Sequence, residues 1–144
     1  MSLLILWGDA LKLGIPSVDE QHRELVELLN RLAALSSSEV GAEARDDMLE
    51  LLGHIYQHTV VHFLHEEELM AAIDYPDLAA HRDEHHMLLA ELRSFVHQIE
   101  NGDTVLDAKS IHALRDWLVV HISSSDRPFA AAYIQAKAPE ESVT

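Results

Sequence analysis

Apolar residues recur three and four apart along most of this chain, and no segment alternates with period two, so helices rather than strands are expected throughout. After Pro16, one stripe carries Val18, His22, Leu25, Leu28, Leu29 and Leu32. Ser17 with Glu20 three residues later has the form of a capping box, which sets the expected start of helix one. SSSEVG (36–41) reads as a loop. Helix two is expected from about Ala42 to Ile73, with Met48, Leu51, Leu52, Ile55, Val61, His62, Leu69 and Met70 turned inward. DYPD (74–77) stops it, because Pro76 disfavours a helical Tyr75 and fits the first turn of a following helix. Helix three then covers about Asp77 to Glu100 and ends at NGD (101–103). Helix four covers about Val105 to Ser123, and Pro128 reopens a short helical tail before a fraying APEESVT.

Four helices with short connections imply antiparallel neighbours. The expected fold is all-α: an up-down-up-down four-helix bundle over about 17–124, an N-terminal arm (1–16) anchored by Trp7, and a tail (125–144) holding a short C-terminal helix. The 144 residues suffice for one core, hence one domain.

Composition narrows the chemistry. A formal charge of −15 argues against nucleic acid and anionic membrane surfaces as partners. The absence of cysteine excludes disulfides, thiolate catalysis, iron–sulfur clusters and cysteine-based zinc sites. MSLLILW lacks the basic flank and cleavage site of a signal peptide, and no run approaches the roughly 20 apolar residues that span a bilayer, so a cytoplasmic location is expected. Eleven histidines are the oddity.

Several histidines fall on the inward stripes. Within HTVVHFLHEEELM (58–70), His62 and Glu66 are i, i+4 and face the same way; His81 and His85 repeat that spacing on helix three. His121 ends the apolar run WLVV, Asp126 follows, and His22 sits one turn into helix one. The 62/66 pair averages about ten residues before the turn at 74 and the 81/85 pair about nine after it, so these groups reach similar depths. A lone histidine on an apolar stripe is usually a satisfied core residue, but five with two carboxylates at one depth are costly to bury without cations. Five imidazoles and two carboxylates exceed one tetrahedral zinc and suit iron, manganese or copper. Two six-coordinate ions, bridged by both carboxylates and one oxygen, would keep a single open position for a small ligand.

The pieces GIPSVDEQH (14–22), HFLHEEELM (62–70), YPDLAAHRDEH (75–85) and RDWLVVHISSSD (115–126), with Trp7, resemble the hemerythrin family, specifically its bacterial single-domain members. The resemblance implies two oxo- or hydroxo-bridged iron ions per chain. It assigns His81, His85 and His121 to one ion, His22 and His62 to the other, and Glu66 and Asp126 to both. It further implies reversible binding of O2, or of NO and azide-like anions, at the ion with two histidines. Leu118, Phe63 and Trp117 are candidates for the apolar wall that keeps water out. The family often carries a tyrosine three residues after the bridging aspartate, where this chain has Phe129. His58 and His65 flank the ligand turn, with tuning or metal access as a minor role for His58. His54, His86, His97 and His112 read as surface residues, Glu67 and Glu68 as a solvated face, and Asp19 as charge at a helix N-terminus.

An oxygen carrier, store or sensor is the leading functional reading. A diiron redox enzyme, or a nitric-oxide- or iron-handling protein, would use the same site, and a separate protein partner stays open. Ferritin-like diiron enzymes use Glu-x-x-His on two helices, a spacing absent here.

Overall fold

A computed structural model of the chain describes residues 7–37, 42–103 and 107–137. They form α1 (Pro16–Ser37), α2 (Ala42–Ala72), α3 (Leu78–Glu100), α4 (Ala108–His121), a π-helical turn (Ile122–Asp126) and α5 (Arg127–Lys137). The first four make the expected up-down-up-down bundle: α1 packs on α2 and α4, and α2 on α1 and α3. None of the described helices is long and apolar enough to cross a membrane.

The helix boundaries have identifiable causes, some of them unlike those expected. Pro16 occupies the first position of α1, where its missing N–H costs nothing. Ser17 therefore lies inside the helix and is not its cap; its hydroxyl meets His65 Nε2 at 2.8 Å, while Glu20 pairs with Arg23. The turn before α1 is held instead by Asp19, whose carboxylate accepts the N–H groups of Leu13 (2.7 Å) and Gly14 (3.1 Å). Gly14 takes φ 95°, and a Cβ there would meet Ile134 Cδ1 of α5 at 3.0 Å, so the arm lies tight against the C-terminal helix. Arg127 Nη2 donates to the Ala10 carbonyl, and Trp7 packs partly buried on the core, as expected of an anchored arm.

At the end of α2, Asp74 adopts φ 51° and Tyr75 N–H reaches back to the Met70 carbonyl at 2.9 Å, a left-handed stop that a short polar residue tolerates. Pro76 lies in this turn rather than in the first turn of α3. Gly102, at φ 78°, follows the end of α3. Asp107 caps α4 by accepting Ser110 N–H, so that helix starts at Ala108 and not at Val105, which lies outside the described residues, as do 38–41 of the expected loop and the tail from 138.

The expected break near Ser123 does not occur. The chain runs from α4 through the π turn into α5, with Arg127 N–H bonded to the Ile122 carbonyl five residues back. Pro128 falls in the first turn of α5, where it interrupts nothing.

Leu25, Leu29, Leu32, Leu52, Ile55, Ile99 and Ile111 are buried in one part of the bundle. Each fully buried aliphatic chain contributes roughly 1.5–3 kcal/mol. Leu69 is half-buried, but Val61 is 60% exposed and not inward as expected, because the stripe containing His62 and Phe63 takes the buried side of α2. The polar core lies where α1 begins, α2 ends, α3 begins and α4 ends. Alternating helix direction brings those four segments to one end of the bundle.

Candidate metal centre

All seven predicted ligand candidates are buried: His22, His62, Glu66, His81, His85, His121 and Asp126. They arrive from four helices by local rules. His62 and Glu66 stack one turn apart on α2, and His81 and His85 on α3. Asp126 is the instructive case. Five residues of regular α-helix would rotate it well away from His121, but the π turn closes at i+5 and returns it to the same face, so its Oδ1 lies 3.1 Å from His121 Nε2.

The side chains converge on two foci. Oxygen or nitrogen atoms from Glu66, His81, His85, His121 and Asp126 lie within 4.8 Å of one another, as do those from His22, His62, Glu66 and Asp126. Both carboxylates belong to both groups. Asp126 Oδ1 is 3.2 Å from His81 Nε2, and its Oδ2 is 3.2 Å from His22 Nε2. Glu66 Oε1 is 3.4 Å from both His62 Nε2 and His85 Nε2. Few of these contacts are hydrogen bonds. The Nε2 atoms of His22, His62, His85 and His121, both oxygens of Glu66 and Asp126 Oδ2 are buried without a hydrogen-bond partner. A purely structural polar core would not leave so many groups unpaired, since each costs several kcal/mol. The donor set therefore fits cations.

The outward ring nitrogens show why Nε2 faces inward. His62 Nδ1 donates to Gln21 Oε1 (2.6 Å), His85 Nδ1 to Glu67 Oε2 (2.9 Å) and His121 Nδ1 to Glu84 Oε1 (2.8 Å). Each bond fixes a tautomer with the Nε2 lone pair free for a metal. Glu84 also accepts from Ser125 Oγ, and Glu67 from Arg82 Nε. Glu67 is thus part of the centre and not the solvated face expected, because α3 lies against that side of α2; Glu68 is exposed. Gln21 and Glu84 were not singled out from the sequence, and Glu67 was read there only as surface. Each adjoins a candidate ligand, Gln21 beside His22, Glu67 beside Glu66 and Glu84 beside His85, so each flanks the inward stripe and meets the next helix. That adjacency is the signal that could have found them.

Protonation follows from burial and from charge. Burial, reinforced by the neighbouring Asp126, pushes the Glu66 carboxyl well above the usual range. Burial would raise Asp126 as well, but the imidazoles of His121, His22 and His81 overcome it and hold this carboxyl well below. Burial pushes His85 down to about 4 against the opposing pull of Glu67, and drives His62 well below its ordinary value. His121, between Asp126 and Glu84, is raised despite its burial. Two adjacent carboxylates of opposite tendency, with His62 and His85 held neutral beside them, are a preformed cation cradle.

Of the apolar candidates, Phe63 is buried and stacks on the His85 ring at 3.8 Å, and lies 5.4 Å from His121. Leu118 is buried one turn before His121. Trp117 is half-buried and lines a surface cleft of about 330 Å³ with Glu84, Leu88, Val120 and His121, on the outer side of that imidazole. Phe129 is fully buried, edge-on to Tyr75 and His81. His58 donates to the Gln21 carbonyl, so it and His65 tie α2 to α1, while His54, His86, His97 and His112 are exposed.

Comparison with known proteins agrees with this arrangement. The family model described as hemerythrin HHE cation binding domain matches residues 13–133. The chain is 32% identical over 127 residues to the bacteriohemerythrin of Stenotrophomonas maltophilia (strain R551-3), covering 88% of this chain and 80% of that protein. It is 32% identical over 123 residues to a hemerythrin-like protein of Naegleria gruberi, covering 85% and 88%. A crystal structure of wild-type hemerythrin superposes with a TM-score of 0.80 at 26% identity, covering 89% of this chain and 96% of that one. With its family pattern matched from the arm to α5 and its buried histidine–carboxylate cluster in place, the chain belongs to the hemerythrin family.

Proposed function

We propose that this chain is a non-heme diiron protein that binds O2 reversibly, as a carrier, store or sensor. The observation that carries this reading is the division of the buried, partnerless donor atoms into two groups that share Glu66 and Asp126. His81, His85 and His121 would hold one iron and His22 and His62 the other, with both carboxylates spanning the pair. Imidazole with carboxylate suits iron, and one tetrahedral zinc would leave at least three of the seven residues unused. The half with fewer imidazoles keeps room for O2, NO or an azide-like anion. When bound, a ferrous pair supplies electrons that can be lent to O2 and recovered on its release.

The chain's own residues do the rest. Gln21, Glu67 and Glu84 hold three imidazoles with Nε2 inward. Glu66 and Asp126 lower the net charge of the cation pair. Phe63 and Leu118 present hydrocarbon where water and protons would otherwise reach the centre. A diiron oxidase, or a nitric-oxide- or iron-handling protein, is the competing reading, and the absence of Glu-x-x-His weighs against the ferritin-like version. The deciding experiment loads the metal-free protein with Fe(II) anaerobically, admits O2 and then applies vacuum. A spectral change that reverses over repeated cycles is expected. Complete oxidation on first exposure would favour redox turnover.

A further inference from the structure

The two halves of the centre are backed by different chemistry. In the three-histidine half, two imidazoles donate Nδ1–H to carboxylates, His85 to Glu67 and His121 to Glu84. Both carboxylates are themselves held, Glu67 by Arg82 and Glu84 by Ser125, and Phe63 stacks flat on His85 with 2° between the rings. In the two-histidine half, His62 donates to the neutral amide oxygen of Gln21, and buried His22 Nδ1 has no hydrogen-bond partner. A carboxylate behind an imidazole makes Nε2 a stronger donor and adds negative charge near the metal; an amide does neither to the same degree.

The geometry points to an ordered loading of the centre, in which Glu67 and Glu84 make the half formed by His81, His85 and His121 take its metal first and more tightly, while Gln21 leaves the half formed by His22 and His62 as the weaker, second position. This rests on the paired-metal reading above. The shared carboxylates sharpen the order. The first cation neutralises Glu66 and Asp126 and repels the second, so the second binds on imidazoles that have no anionic backing. Glu67, Glu84 and Gln21 are thus positioning residues that set which half of the centre is labile.

The test is a titration of the metal-free full-length chain with Co(II), followed by calorimetry and by NMR of the imidazole protons. Two steps are expected, the first about 10–100-fold tighter, the size of effect that such outer partners have on metal affinity. The signals of His81, His85 and His121 should move in the first step and those of His22 and His62 in the second. Glu67→Gln and Glu84→Gln keep shape and remove charge; each should weaken the first step about tenfold or more and leave the second nearly unchanged. Gln21→Glu should strengthen the second step and narrow the gap, a gain that a merely structural residue would not produce. Movement of His22 and His62 first, or an unaltered first step in both glutamate variants with helicity retained, would overturn the ordered loading. Binding of a single Co(II) in total would overturn the paired reading itself.

Discussion

Glu66 is buried with neither oxygen hydrogen-bonded and its carboxyl pushed toward the protonated form. A residue kept for stability would not look like this. A buried polar group without a hydrogen-bond partner costs roughly 1–3 kcal/mol, and a hydrophobe of similar volume removes that cost. Glu66→Met should therefore raise the melting temperature of the metal-free protein, by about 1–3 kcal/mol in stability, and abolish paired metal binding. Melts combined with metal analysis check both, and a variant that is less stable without metal would show that Glu66 serves the fold. Leu118 poses the complementary question. It is buried one turn from His121, and Leu118→Asn brings a hydrogen-bonding group there without touching a ligand. The oxygenated form should still appear on mixing but decay to the ferric form several-fold faster, with anion binding to the ferric state preserved. Stopped-flow spectra give both numbers, and an unchanged decay removes Leu118 from the wall around the ligand.

At the scale of elements, the joints carry the decisions. The π turn between α4 and α5 makes a five-residue separation behave as one face, and places Ser125 so that its hydroxyl reaches Glu84 on α3. The arm is a second joint. Asp19 holds the Leu13 and Gly14 N–H groups, and those bonds press Leu11, Leu13 and Ile15 into the core beside α5. Asp19→Ala leaves two backbone donors without their partner, which should lower stability by about 1–2 kcal/mol. The arm should become a site of early proteolysis while metal stoichiometry is kept, since no candidate ligand precedes His22 in this segment. Limited proteolysis with mass spectrometry and a thermal melt test this; an arm as resistant as the parent's would mean that Trp7 and Arg127 hold it without Asp19.

For the whole molecule, folding and metal binding are linked through protons. His85 is held down at about 4, so between about 6.5 and about 4 the unfolded chain takes up a proton that the native state refuses. Acid then weakens the metal-free bundle, by about 3 kcal/mol at this residue over the full window, and His62 acts in the same sense. Glu66 and His121, both raised, act the other way: each keeps a proton in the native state that the unfolded chain gives up as pH rises. Metal binding requires neutral imidazoles and ionised carboxylates, so it releases protons and strengthens with pH. The gap between the melting temperatures of the metal-loaded and metal-free proteins should widen from about pH 5.5 to about pH 8. Paired melts across that range measure it, and a constant gap would show that binding is not coupled to these groups.

Periodicity along one helix depends only on neighbours in the chain, which is why the four helices, their antiparallel order and the inward stripes with His22, His62, Glu66, His81, His85 and His121 were legible in the sequence. Equal distance from the turns likewise placed these groups at comparable depths. What the chain alone could not decide was rotation and contact between helices. Val61 was expected inside and lies outside because the register of α2 is set by its packing on α1 and α3. Glu67 read as a solvated face until α3 supplied His85 and Arg82. Ser17 and Glu20 matched a capping box, yet Pro16 and Asp19 took that role through backbone groups of the arm. Asp126 was counted in the cluster from its place soon after His121, yet ordinary helical spacing would turn it to another face, and it is the π turn that returns it. The donor set is encoded in residue type and spacing, whereas the partners that orient each donor come from other helices and exist only once the bundle has formed.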